Sequence, residues 1–392
     1  MLTICLLSFI ILIYRQYSIC PYVISPLNIY VLFTFIYTFF SYVYVLYGSE
    51  IVSIELPNLE SVIAITLLFY VILINFVLFF LSFFPSIKSL LTFYNGSFSK
   101  GNELSFYAFI TLAPITLYAV YVAPWPEFGE DFTVYHSVAA FSKLTLLYIF
   151  CCELNRNRKV LYTLLIYLVM LLVFLLDGSR TFFFVFAFSA IYAQKVRTVT
   201  IFRYLIPIAF MFVVFIYVTL ARNGIDLSFG LILWPFYSEG IFGSYGVYNA
   251  IATYDRYDYS LTMFPGYFID LFSSFALDSR PFMSNFIELY SYSFKDGKLY
   301  PYGGHFFLSD FIIYFYWAAI FMFPIYFFSI LWIYKKCVRL PSLYLFLVAN
   351  FYFVVKTSIF VFVNTLIFVL VVAVMYGFLI NCIPKRYSDD IC

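Results

Sequence analysis

The chain has 392 residues, of which 65% are hydrophobic and only 11% are charged, and its mean hydropathy is +0.97. A soluble protein carries roughly a quarter of its residues as charged side chains, because these cover its surface in water. The composition therefore excludes a soluble protein and predicts one that is surrounded by lipid. A net charge of +2 is too small to suggest a nucleic-acid partner.

A membrane-spanning helix needs about 20 apolar residues, and eleven runs of the sequence approach this length. Open strands leave unpaired backbone groups in lipid, so every run is predicted to be helical. The predicted spans cover residues 2–14, 29–47, 62–84, 105–122, 135–152, 160–176, 181–194, 201–221, 306–333, 341–355 and 358–380. We expect an all-α, polytopic integral membrane protein with about 11 transmembrane helices, the first of them an uncleaved N-terminal span.

The loops between these spans alternate in charge. One set is basic, as at Lys335 and Lys336, and the other set is acidic or mixed, as at Glu127 and Glu130. Because basic loops remain in the cytoplasm, we expect the N-terminus outside the cell and the C-terminus in the cytoplasm.

The longest connection, residues 222–305, is predicted to be a folded external loop of about 84 residues. It is aromatic and contains scattered glycines, unlike a disordered linker. Its runs 231–237 and 264–277 are predicted to be interfacial or re-entrant helices. The chain then divides into residues 1–221 with eight spans, the loop, and residues 306–392 with three spans and a cytoplasmic C-terminus.

The sharpest local motif is Asp-Gly-Ser-Arg at residues 177–180, between two apolar runs at the predicted external face. Charge beside a membrane core is costly, so ionisable residues there are functional candidates. One interpretation is that Arg180 binds a ligand. The alternative is a plain helix hairpin, in which Asp177 pairs with Arg180 or Arg180 extends to the lipid head groups.

Two further arginines lie on the predicted external side. Arg222 directly follows the eighth span, and Arg280 lies in the middle of the long loop. Either Arg222 anchors the helix at lipid head groups and Arg280 pairs with Asp278, or the arginines bind a ligand. Three separated arginines suit a diphosphate, because guanidinium groups bind phosphate through two parallel hydrogen bonds.

His305 follows two glycines and directly precedes the ninth predicted span. A histidine can accept and release a proton near neutral pH, although it could also cap the helix entry. Asp310, one turn into that span, is interpreted as orienting His305 or pairing with an arginine. Lys143 is interpreted as a packing or snorkelling residue, with contact to a ligand as the alternative. The seven cysteines are scattered, and no metal or cofactor is expected.

These features together resemble the bacterial O-antigen (oligosaccharide repeat unit) polymerases of the Wzy type, which are related to O-antigen ligases. A late pair of apolar spans closes the bundle, as in the family. The motifs that carry the resemblance are Ser25-Pro26-Leu27-Asn28-Ile29-Tyr30, Asp177-Gly178-Ser179-Arg180, and Gly303-Gly304-His305 followed by Leu308-Ser309-Asp310.

The resemblance implies a GT-C-like membrane glycosyltransferase of the bacterial inner membrane, with its active site facing the periplasm. Its substrates would be undecaprenyl-diphosphate-linked glycans in the lipid bilayer, and a chain-length regulator is a further expected partner. Arg180 and Arg222 would contact the diphosphate, Arg280 would add a contact and assist catalysis, and His305 would be the catalytic base. The alternatives are an O-antigen ligase, a lipid-linked oligosaccharide flippase and a scaffold without chemistry.

Overall fold

The computed structural model describes most of the apolar part of the chain, and all of its regular structure there is helical. The described residues are 2–19, 24–40, 42–43, 59–83, 104–124, 134–154, 160–178, 180–193, 205–222, 234–257, 263–277, 307–337, 340–351 and 359–382. The expected all-α class is therefore confirmed for this part of the chain.

Fourteen α-helices are numbered here in chain order over the described residues. They are α1 Leu2–Ile19, α2 Pro26–Phe35, α3 Leu59–Phe83, α4 Leu104–Val122, α5 Val134–Leu154, α6 Val160–Asp177, α7 Arg180–Ala193, α8 Leu205–Arg222, α9 Trp234–Tyr257, α10 Met263–Leu277, α11 Phe307–Phe315, α12 Ala319–Cys337, α13 Pro341–Ala349 and α14 Ile359–Cys382. A π-helical segment, Ile36–Phe40, continues α2.

Within these ranges, four helical stretches have the length and apolar composition of a membrane span: Glu60–Phe83, Ser105–Val122, Val134–Leu154 and Leu308–Cys337, the last of which is broken at Tyr316. Three shorter apolar helices, Thr3–Arg15, Leu161–Asp177 and Val363–Phe378, accompany them. The chain is thus a helical protein of the membrane-spanning kind. The total of eleven spans stays a prediction.

The start of α2 shows how local sequence sets a helix boundary. Ser25 has an extended backbone, and its side chain accepts a hydrogen bond from the backbone N–H of Asn28 at 3.1 Å. Pro26 occupies the first turn, where a proline needs no hydrogen-bonding N–H. The motif that opens the predicted second span is therefore an N-terminal helix cap.

Contacts along α5, α6 and α7 give the relative directions of these helices. Lys143 of α5 contacts Asp177 at the end of α6, and further along α5 the thiol of Cys151 donates to Oγ of Ser189 in α7 at 3.6 Å. Hence α7 runs parallel to α5, and α6 runs antiparallel to both. These directions agree with the predicted alternation of spans.

Aromatic contacts give the relative directions within two further pairs of helices. The ring centroids of Phe141 and Phe368 are 4.6 Å apart, and those of Tyr148 and Tyr376 are 6.0 Å apart, so α14 is parallel to α5. Similarly, Phe76 and Phe80 of α3 pack on Phe321 and Phe328 of α12, respectively. Therefore α3 and α12 are parallel.

The predicted single span 306–333 is two helices in the structure. Phe311 of α11 packs on Phe323 and Tyr326 of α12, with ring centroids 5.7 and 5.2 Å apart. A straight helix would separate residues 311 and 323 by about 18 Å. The chain instead turns back at the 3₁₀ segment Tyr316–Ala318, where Tyr316 has a left-handed φ of 49°. As a result α11 is a short helix folded against α12.

The segment 222–305 contributes two described helices to this assembly. Thr66 of α3 donates to the backbone carbonyl of Ser244 in α9 at 3.4 Å, and a buried cluster joins the same two helices. The cluster consists of Val62, Tyr237, Ile241 and Tyr245. The 24 residues of α9 make it much longer than the predicted helix at 231–237, whereas α10 closely matches the predicted helix at 264–277.

Candidate functional site

The Asp-Gly-Ser-Arg motif forms the turn between α6 and α7. Helix α6 ends at Asp177, Gly178 has a left-handed φ of 66°, and α7 begins at Arg180. Glycine is suited to this backbone because it has no Cβ that would clash there. The N–H of Gly178 still donates to the carbonyl of Phe174 at 3.0 Å, which closes the last turn of α6. Arg180 thus occupies the first position of a helix that starts directly after a tight turn.

A buried ion pair lies beside this turn. Nζ of Lys143 is 2.5 Å from Oδ1 of Asp177, and their side chains are 2% and 0% exposed. The sequence suggests that Lys143 packs or snorkels. In the structure its ammonium group is instead buried in an ion pair with Asp177. A charged residue in an apolar run requires a partner of opposite charge, and that requirement was the signal available in the sequence. The hairpin interpretation names Arg180 as the partner of Asp177, whereas the described contact is with Lys143.

The ion pair sets the position of the turn along α5. Lys143 lies nine residues after the start of α5 at Val134, a rise of about 13 Å along the helix. Asp177 is level with Lys143 and buried, so the turn does not lie level with the start of α5. Helix α7 begins beside this point and has 14 described residues.

Arg180 and Arg222 lie at the ends of two helices that pack together. Arg180 begins α7 and Arg222 ends α8. The rings of Phe184 and Phe215 are 4.8 Å apart, so the middle of α8 meets the first turns of α7. The structure describes the backbone of both arginines but not their side chains, so their separation stays untested. Arg280 and His305 lie outside the described residues.

A second buried polar cluster joins α10 and α11, and Asp310 is its only member that the sequence analysis singled out. The phenol of Tyr314 donates to Oδ2 of Asp270 at 2.5 Å, and Tyr267 packs on Tyr314 with ring centroids 5.5 Å apart. Asp270 and Asp310 are both 0% exposed. We call Asp270, Asp310, Tyr267 and Tyr314 the acidic–tyrosine cluster. The sequence places Asp270 and Tyr314 44 residues apart, and no local pattern connects them.

Burial is the main electrostatic effect in this cluster. Burial, and secondly the nearby carboxylate of Asp310, raises the pKa of Tyr267 to about 12. Both effects disfavour the phenolate, because it would place a second negative charge in an apolar setting. Tyr267 therefore stays neutral to a higher pH than an unperturbed tyrosine does.

The acidic–tyrosine cluster fixes the helix that follows His305 in the chain. Asp310 and Tyr314 both belong to α11, which begins two residues after His305. The residues of α11 from Leu308 to Phe315 are all buried. This helix is thus packed inside the protein along almost its whole length. Among the described residues, no group of three His, Cys, Asp or Glu side chains could hold a metal ion.

The fold and the described parts of the site define an all-α protein with apolar helices that are long enough to span a membrane. Its polar features are the turn at residues 177–180 with its buried lysine, and the acidic–tyrosine cluster. No protein-family model matches the chain, and neither the curated proteins nor the solved structures contain a significant match to it.

Proposed function

We propose that this protein is a membrane glycosyltransferase that joins undecaprenyl-diphosphate-linked oligosaccharide repeat units, as O-antigen polymerases of the Wzy type do. The observation that most supports this proposal is the turn at residues 177–180. A buried lysine pairs there with Asp177, and Arg180 stands at the N-terminus of α7. Helix N-termini and arginines both favour phosphate groups.

The proposed reaction takes place at the periplasmic face of the bacterial inner membrane. A hydroxyl of one lipid-linked repeat unit attacks the anomeric carbon of the growing glycan. The new glycosidic bond forms as the bond from that carbon to the diphosphate oxygen breaks, with inversion at the carbon. Lipid diphosphate leaves with the bonding electron pair, and His305 accepts the hydroxyl proton.

The arginines stabilise the leaving group in this scheme. Arg180 and Arg222 bind the diphosphate, and Arg280 adds a contact from the long loop. Negative charge builds up on the diphosphate as the bond breaks, so positive groups held beside it lower the barrier. The packing of α7 on α8 through Phe184 and Phe215 supports this role, because it joins the helices that carry Arg180 and Arg222.

The acidic–tyrosine cluster has a supporting part in the proposal. It anchors α11 by the hydrogen bond from Tyr314 to Asp270. A base is effective only when it is held close to the proton that it accepts. A firmly packed α11 would limit the movement of His305, which precedes it in the chain.

Complementation of cells that lack the gene tests the proposed function. Arg180→Ala and His305→Ala are expected to abolish long glycan ladders although the proteins insert in the membrane at normal levels. Arg15→Ala is a matched control, because Arg15 is an exposed arginine in α1. A ladder of normal length from either site variant would reject these roles.

The same gels separate a polymerase from the alternatives. Loss of a polymerase leaves a single repeat unit on the lipid A core, whereas loss of a ligase leaves none. Loss of a flippase also leaves none, because the lipid-linked repeat units stay on the cytoplasmic side of the membrane. A single-unit band in cells that lack the gene is the expected result.

A further inference from the structure

We infer that Lys143 is an electrostatic positioning residue of the diphosphate site, because it neutralises Asp177 and leaves the charge of Arg180 available to the ligand. This inference rests on the proposed function for its ligand. Its structural basis is the buried pair itself, in which Nζ of Lys143 and Oδ1 of Asp177 are 2.5 Å apart.

Charge at the turn supports this inference. Lys143, Asp177 and Arg180 carry formal charges of +1, −1 and +1, which leaves one positive charge beside the start of α7. Without Lys143, the charges of Asp177 and Arg180 would cancel. Asp177 precedes Arg180 by only three residues across a tight turn, so its carboxylate would repel a diphosphate there and compete for the guanidinium.

Burial makes this effect large. Both side chains of the pair are shielded from solvent, at 2% and 0% exposure. Charges interact more strongly where water is excluded, and salt screens them less. A lysine in this position can therefore change the affinity for an anion without contacting the anion. Its function is to set the net charge of the turn.

The opposite effects of two single substitutions distinguish this role from a structural one. If the pair only holds the turn in shape, removal of either partner should weaken ligand binding. If Lys143 acts by neutralising Asp177, then Lys143→Met should weaken binding, whereas Asp177→Asn should preserve or strengthen it. The double variant Lys143→Met/Asp177→Asn should restore binding, because it removes the uncompensated carboxylate.

The experiment titrates purified full-length protein in detergent with undecaprenyl diphosphate, and with undecaprenol as the neutral control. We expect Lys143→Met to weaken diphosphate binding about tenfold or more, because it removes one positive charge from beside the anion. Lys143→Arg should stay within about threefold of the unsubstituted protein, because it retains the charge. Only monodisperse protein is titrated, so that misfolded material does not count as lost affinity.

Glu153→Gln is the matched control for loss of a buried carboxylate. Glu153 accepts a hydrogen bond from Ser105 and lies ten residues further along α5 than Lys143. Its substitution should leave diphosphate binding unchanged. A loss of binding in this variant equal to that of Lys143→Met would show a general folding effect and would overturn the inference.

The remaining outcomes show whether the electrostatic role of Lys143, the proposed function or both are wrong. Equal weakening by Lys143→Met and Asp177→Asn, or no effect of Lys143→Met, overturns the electrostatic role and leaves the proposed function intact. If the unsubstituted protein binds undecaprenyl diphosphate no better than undecaprenol, both fail. If binding follows the expected pattern but cells that lack the gene still make normal ladders, the polymerase proposal fails and the diphosphate site stands.

Discussion

The phenol of Tyr314 and the carboxylate of Asp270 form a buried hydrogen bond of 2.5 Å that connects α11 to α10. Asp270 belongs to the segment between the eighth and ninth predicted spans, whereas Tyr314 lies in the helix after it. Both side chains are fully buried. The bond therefore attaches the middle of the long connecting segment to the helical bundle.

Tyr314→Phe is expected to destabilise the protein by about 1–3 kcal/mol, because it leaves the buried carboxylate of Asp270 without this donor. The ring is retained, so the packing on Tyr267 should persist. The change is measured as a shift in the thermal unfolding midpoint of the purified protein in detergent. Size-exclusion chromatography monitors the unfolding. An unfolding midpoint equal to that of the unsubstituted protein would show that this hydrogen bond contributes nothing to stability.

The raised pKa of Tyr267 predicts a loss of stability at alkaline pH. Its pKa is about 12 in the folded protein, against 10.0 for an unperturbed tyrosine. The folded state therefore holds this proton more tightly, and the contribution is complete below pH 10. This stabilisation is lost as the pH rises from 10 through 12, and the complete loss amounts to about 3 kcal/mol.

The measurement compares Tyr267→Phe with the unsubstituted protein between pH 9 and pH 12 (an interval around the two pKa values). Other tyrosines titrate in the same range, so the difference between the two proteins is the informative quantity. The stability of the variant should fall less steeply with pH. Parallel curves would contradict the prediction and would indicate that Tyr267 is exposed to water.

The backbone conformation at position 178 requires glycine. Gly178→Ala places a Cβ at a φ of 66°, and we expect it to cost about 1–2 kcal/mol of stability. Gly377→Ala is the matched control, since a Cβ there meets no atom within 4 Å inside α14. That variant should be equally stable or up to about 1 kcal/mol more stable.

Thermal unfolding of both glycine variants in the same detergent provides the comparison. The two substitutions add the same methyl group, so a difference between them isolates the backbone strain at the turn. If Gly178→Ala and Gly377→Ala have equal midpoints, the left-handed conformation at Gly178 is not required.

The helix positions were largely predictable, because lipid sets the length of an apolar run. Residues 105–122 and 160–176 were predicted as spans, and the structure has helices at Leu104–Val122 and Val160–Asp177. By contrast, the break at Tyr316 interrupts a continuous apolar run with no glycine or proline at that point. The turn is therefore a product of packing between α11 and α12, which composition does not encode.

The site was predictable in its residue types and not in its pairs. Charge in an apolar setting identified the turn at residues 177–180, but Lys143 lies 34 positions before its partner. Which helices meet depends on the packing of the whole bundle. The roles of Arg180, Arg222, Arg280 and His305 stay predictions for the same reason, because they depend on side-chain positions beyond the described contacts.

The orientation predicted from loop charge can be tested by thiol labelling. Cys337 is a free, half-buried cysteine at the end of α12, directly after Lys335 and Lys336. If the basic end of α12 faces the cytoplasm, a membrane-impermeant maleimide should label Cys337 in inverted vesicles and not in intact spheroplasts. The test uses a variant that retains Cys337 as its single cysteine.

A second single-cysteine variant, Val134→Cys, serves as the matched control for the opposite face. Val134 begins α5 and is 77% exposed, and the predicted topology places it on the external side. It should be labelled in spheroplasts and protected in inverted vesicles. The reverse pattern for both cysteines would place the turn at residues 177–180 nearer the cytoplasmic side. A periplasmic lipid diphosphate could not reach Arg180 there, and the polymerase proposal would fail.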